Sequence, residues 1–72
     1  MKSALTFNTE IDSAGLPIWY SVEGTIIDHE GESFPVGEST FNFNRAFDTL
    51  THYVHSFDNV AVSYLTTLSK EF

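Results

Sequence analysis

The chain opens with alternating apolar and polar positions. Leu5, Phe7 and Ile11 fall on one side of an extended backbone, with polar residues between them. This period of two is typical of a strand with one buried face. The residues from Asp12 to Pro17 favour a turn, because they include a glycine and a proline. The pattern therefore predicts a first strand that ends in a reversal of the chain.

A second strand is predicted over Ile18 to Asp28, where β-branched and aromatic residues dominate. Its more apolar face carries Ile18, Tyr20, Val22 and Ile26. Its other face carries Trp19, Ser21, Glu23, Thr25 and Ile27. Residues 29–32 predict a hairpin loop, and residues 33–43 predict a third strand. Pro35 and Gly37 weaken that third strand, so we expect it to be irregular or to lie at an edge.

The spacing of apolar residues changes to that of a helix over residues 45–57. The residues at this spacing are Ala46, Phe47, Leu50, Tyr53, Val54 and Phe57. Asn44 is the predicted N-cap, because its short side chain accepts hydrogen bonds from the first turn. Asp58 and Asn59 end the helix, and alternation then resumes from Val60 to about Leu68. This last segment predicts a final strand.

These elements predict one compact α+β domain over residues 1–72, in the order β-β-β-α-β, with a small antiparallel sheet packed on one helix. We expect the sheet to contact Leu50, Tyr53, Val54 and Phe57, and the core to include Phe41 and Phe43. A single helix covers one face of the sheet and leaves the other open. The side chains expected on the open face include Trp19, Ile27, Ala61 and Leu65. This face is then partly apolar, or it packs against the irregular third segment.

The charge of the chain limits its function classes. Ten acidic residues against three basic ones give a net charge of −7. This charge argues against direct nucleic-acid binding and against a polybasic membrane anchor, since both need cations that face phosphate. No apolar run approaches the length of a membrane span, so we expect a cytoplasmic protein. Residues 3–44 hold seven acids and no Lys or Arg, a field that attracts a basic partner surface unless it only solubilises the domain.

Six residues are candidates for partner binding. They are Trp19, Glu23, Asp28, Glu30, Glu32 and Glu38. The carboxylates of residues 28, 30 and 32 stand at alternate positions, so an extended chain would space them about 7 Å apart, like a short run of phosphates. Trp19 is the candidate aromatic anchor, because tryptophan is enriched among residues that dominate binding energies. The alternative is that Trp19 belongs to the core.

Catalytic and metal chemistry receive little support from the sequence. Asp48, His52 and His55 share a helix face and could approach one divalent metal. A closed site needs a fourth ligand, and an exposed polar face explains the same residues, so we expect no cofactor. The glycines are isolated and no serine lies in a nucleophile motif. The sequence therefore predicts a protein that is not an enzyme.

The small size, acidity, lack of cysteine and β-β-β-α-β order resemble the small proteins with which phages disable host machinery, anti-CRISPR proteins among them. This resemblance implies a stoichiometric inhibitor that occludes a basic nucleic-acid-binding or assembly surface of a host enzyme complex. The alternative is a small assembly subunit that forms a homodimer through its open sheet face or an edge strand. Salt distinguishes these two functions, because it weakens the electrostatic contact and not the apolar one.

Overall fold

The computed structural model describes residues 2–69. Its elements are the strands β1 (Ala4–Ile11), β2 (Pro17–Ile27) and β3 (Ser33–Thr40), the helix α1 (Phe43–Ser56) and the strand β4 (Ala61–Leu68). The predicted α+β class and the order β-β-β-α-β are confirmed. Within the described residues, no helix is both long and apolar enough to cross a membrane.

The sheet is mixed rather than purely antiparallel. Its strand order is β3-β2-β1-β4, and β1 pairs antiparallel with β2 but parallel with β4. The prediction of an antiparallel sheet was wrong at this last strand. The reason is the helix between β3 and β4, which carries the chain back along the sheet, so that β4 starts at the same end as β3 and β1.

The core lies between the helix and the strands β1, β2 and β3. Its buried members are Leu5, Phe7, Val22, Ile26, Val36, Ala46 and Leu50. The helix packs on β2 and β3. A helix is about 10 Å wide and strands lie about 4.8 Å apart, so one helix covers only two of the four strands. The part of this face over β4, where Tyr64 and Leu68 are exposed, is therefore left uncovered.

Both hairpins of the sheet use the same five-residue loop, which begins with aspartate and has glycine at its fourth position. The loops are residues 12–16, of sequence DSAGL, and residues 28–32, of sequence DHEGE. The Asp12 carboxylate accepts the Ala14 and Leu16 amides, both at 2.9 Å. The Asp28 carboxylate does the same with the amides two and four residues later, also at 2.9 Å. Each aspartate therefore holds its own loop.

The helix starts two residues earlier than the sequence predicts. Asn42 is the N-cap, and its side-chain oxygen accepts the Arg45 amide at 3.2 Å. Asn44, the predicted cap, lies inside the first turn. Because β3 ends at Thr40, Phe41 falls in the short connection and is 77% exposed. The prediction that Phe41 is a core residue was wrong.

Three other apolar residues depart from their predicted burial. Phe43 is 47% exposed, because it starts the helix at the margin of the core. Val54 lies on the helix flank and is also exposed, although Leu50 is buried as predicted. Ile18 is exposed because the β1–β2 register shifts beside it, pairing Pro17 and Trp19 with consecutive residues and leaving Ile18 without a partner.

Candidate functional site

The six candidate binding residues do not form one surface. Three of them belong to the β2–β3 loop, which contains Asp28, Glu30 and Glu32. Trp19 and Glu23 lie on the sheet face that points away from the helix, and Glu38 lies on the helix side. The sequence could not reveal this division, because it depends on strand register and on where the helix sits.

The β2–β3 loop lies at an acidic end of the molecule. A shallow depression of about 770 Å³ is lined by Asp28 and His29 from this loop, by Asp58 and Asn59 from the α1–β4 connection, and by Lys2 from the segment before β1. Glu30 and Glu32 are exposed at the loop itself. We call Asp28, Glu30, Glu32 and Asp58 the acidic end.

The carboxylates of the acidic end are not in the extended row that the sequence predicts. Residues 29 and 30 form a turn, and the Gly31 amide donates to the Asp28 carbonyl at 3.1 Å. The Asp28 carboxylate is also occupied by two loop amides. Glu30 and Glu32 are therefore the loop carboxylates best placed to meet a partner.

Glu38 joins the sheet to the helix. Its carboxylate accepts a hydrogen bond from the Thr49 hydroxyl at 2.6 Å and lies 3.6 Å from Nε of Arg45. This is the one ion pair found among residues 2–69. The carboxylate thus has partners within its own chain, and it contributes to the attachment of α1 rather than to a free binding surface.

The face away from the helix is mainly polar around Trp19. Trp19 lies opposite Glu10, and the next pair along the strands is Ser21 with Asn8. The Asn8 side chain accepts the Thr67 hydroxyl at 2.8 Å on this same face. Leu65, which is 56% exposed, and the half-buried Ile27 at the far end of β2 are the other large apolar side chains that the strand register places on this face. The expectation of a partly apolar open face therefore reduces to isolated residues.

Trp19 is 38% exposed, so we expect its fluorescence to report partial contact with water. Its emission should be quenched by acrylamide in the free protein, and substitution of Trp19 by alanine should cost less than the roughly 3–5 kcal/mol of a fully buried aromatic residue. Thermal melts and Stern–Volmer quenching measure both quantities. A blue-shifted emission protected from acrylamide would contradict this placement.

A larger apolar surface lies on the helix side of the sheet, where the sequence did not predict one. Phe43 packs edge-on against Phe7, with ring centroids 6.0 Å apart, and stacks on Phe47 at 5.7 Å. Tyr64 from β4 reaches Phe7 at 6.1 Å and is itself 71% exposed. We call Phe43, Phe47, Tyr64 and Leu68 the aromatic flank. The spacing of residues 43 and 47 was visible in the sequence, but it also fits a buried helix face.

The described residues bring together no metal-binding group of three or more His, Asp or Glu side chains. Asp48 and His52 do line one shallow depression beside Arg45, but His55 is not part of it. Comparisons with protein-family models, curated proteins and solved structures found no match to this chain.

Proposed function

We propose that this chain acts in the cytoplasm as a non-catalytic, stoichiometric inhibitor, of the anti-CRISPR type, that occludes a basic nucleic-acid-binding or assembly surface of a host enzyme complex. The observation that carries the proposal is an excess of acid at this end of the molecule, where four carboxylates stand against one lysine, Lys2, in the lining of the depression. Glu30, Glu32 and Asp58 are exposed, and the ion pair seen in residues 2–69 involves none of them. Such a surface is complementary to a cleft lined by Lys and Arg.

The position of the acidic end supports occlusion. The β2–β3 loop lies at the ends of strands β2 and β3, in a molecule with principal extents of 44, 21 and 15 Å. A narrow acidic end fits a channel more readily than a broad face does. The two hydrogen bonds to the Asp28 carboxylate hold the loop, so little ordering is needed when it binds. The Glu30 and Glu32 carboxylates can then pair with partner guanidinium groups.

The proposal predicts that Glu30→Gln/Glu32→Gln slows association with the captured partner and flattens its salt dependence. The physical reason is that both changes remove long-range attraction without removing a loop hydrogen bond. Asp28 is left intact because its carboxylate holds the loop. The immobilised protein is first used to capture partners from bacterial lysate, and the association rates of the recovered complex are then measured against salt.

A matched control removes two charges elsewhere. Glu10→Gln/Asp48→Asn changes the net charge equally. Glu10, however, lies opposite Trp19 near the β1–β2 hairpin, and Asp48 lies on the helix. We expect this control to slow association less than the loop variant does. Nucleic acid added in excess should release the partner from the immobilised protein. Capture that resists salt, resists nucleic acid and ignores the loop variant would contradict the proposal.

A further inference from the structure

The two edges of the sheet differ in how they discourage pairing with another chain. The β3 edge carries Pro35, Gly37 and Glu38, which are residues that interrupt or charge an edge strand. The β4 edge has the sequence AVSYLTTL, with no proline, glycine or charge. Residues 59–69 as a whole contain no charged side chain. An uncharged edge strand of this length is a ready template for strand addition.

Hydrogen bonds identify which β4 residues present free backbone groups. The Ala61 amide donates to the Ser3 carbonyl at 2.9 Å, and the Ser69 amide donates to the Ile11 carbonyl at 2.8 Å. Backbone groups alternate between the two sides of a strand, so the odd-numbered residues of β4 face β1. The even-numbered residues point their amides and carbonyls outward. These are Val62, Tyr64, Thr66 and Leu68.

We propose that β4 pairs antiparallel with β4 of a second copy of this chain, about a two-fold axis that passes beside Leu65. In this register Tyr64 lies opposite Thr66 of the second copy, and Val62 lies opposite its Leu68. All outward backbone groups of β4 are then used, and the two sheets become one continuous sheet. The axis is perpendicular to the sheet, so both helices lie on the same face.

The distribution of charge favours a second copy as the occupant. Two chains that each carry a charge of −7 repel, so close approach requires a surface free of acid, and β4 is such a surface. A basic partner is drawn instead to the carboxylates of the acidic end, all of which lie outside β4, although Ala61 at the start of β4 borders the same depression. The dimer therefore goes beyond the proposed inhibitory function and does not depend on it.

The side chains next to β4 supply apolar area in addition to the backbone pairing. Leu65 meets its own counterpart on the open face, Tyr64 lies beside the axis on the helix face, and Leu68 on that face lies opposite Val62 of the second copy. A strand pair alone buries little of the roughly 1,200–2,000 Å² of a stable interface, so this added area matters. The aromatic flank of each copy becomes continuous with that of the other.

Cysteine cross-linking tests the register directly, because the chain contains no cysteine of its own. Leu65→Cys should form a disulfide-linked dimer under mild oxidation, since residues opposed across the axis have Cα atoms about 4.5 Å apart, within the range of a disulfide. Thr67→Cys is the matched control on the same strand and face. Its two copies stand about 13 Å apart along the strands, so cross-linking should be at least about tenfold slower.

Sedimentation of the full chain tests the dimer without cysteine. The wild type should sediment at twice its chain mass of 8.1 kDa, and Leu65→Glu should return it to 8.1 kDa by opposing two carboxylates at the axis. Ser39→Glu, an equal charge change on the same face of β3, should stay dimeric. Circular dichroism checks that both variants are folded. If Leu65→Glu does not fold, the comparison of Leu65→Cys with Thr67→Cys tests the dimer in its place. A monomeric wild type, a folded Leu65→Glu dimer, or equal cross-linking of the two cysteine variants would each overturn the proposal.

Discussion

Replacing Gly24 with alanine is expected to lower the free energy of unfolding by about 2–6 kcal/mol, from backbone strain and overpacking of about 1–3 kcal/mol each. Gly24 has a φ of +154° in the middle of β2, between β1 and β3. An added Cβ would overlap the carbonyl oxygen of Ala4 in β1. That oxygen belongs to the backbone of a paired strand, so the sheet itself must move to make room.

Gly37→Ala is the control for this substitution. Gly37 lies on the neighbouring edge strand, has an ordinary φ, and would place its Cβ in open space. Urea denaturation of the two variants should therefore give a large loss of stability for Gly24→Ala and a change within about 0.5 kcal/mol for Gly37→Ala. Equal stabilities would show that the β1–β2 contact at Gly24 is looser than described.

Leu50→Ala is expected to destabilise the protein by about 2–5 kcal/mol. The Leu50 side chain is 2% exposed and contacts the core between α1 and the sheet. Truncation there leaves a cavity between the helix and the sheet, and the surrounding side chains can fill it only in part. In a domain of this size, with a total stability of only about 5–15 kcal/mol, the loss should lower the urea midpoint clearly.

Val54→Ala is the comparison on the same helix. Val54 lies one turn beyond Leu50 but on the exposed flank, so its truncation should cost less than about 1 kcal/mol. The sequence predicts that both residues face the sheet, and the structure separates them. If the two variants lose similar free energy of unfolding, both residues face the sheet, as the sequence predicts, and the observed orientation of the helix is contradicted.

Local patterns predicted the elements, because they depend on neighbours in the sequence. Leu5 and Phe7 repeat at the strand period and are both buried. The helix start was less certain, since Asn42 and Asn44 are equally good caps by residue type and Phe43 stands between them. The direction of β4 was in fact readable, because a helix between two strands returns the chain and favours a parallel pair.

Which residues are exposed, and which surface they belong to, depends on the tertiary structure. The sequence does not say which two of the four strands one helix covers, so the aromatic flank was missed and Trp19 was given more apolar neighbours than it has. Glu38 was predicted as a binding residue for the same reason, because its partners Arg45 and Thr49 lie on a different element, the helix. The hairpin loops were the opposite case. Their shared D-x-x-G-x sequence could have indicated that Asp28 holds its loop, but the sequence analysis predicted Asp28 only as a partner-binding residue.

The parallel pairing of β1 with β4 also orders the events of folding. Ala4 pairs with Ala61, so the second edge of β1 is covered only by a strand that begins 57 residues later in the sequence. The β1-β2-β3 meander closes only short loops and should form early, whereas the β1–β4 contact carries the largest loop-closure entropy. During synthesis the edge of β1 stays open until β4 has left the ribosome. A nascent chain is therefore most exposed to faulty strand pairing just before its last strand arrives.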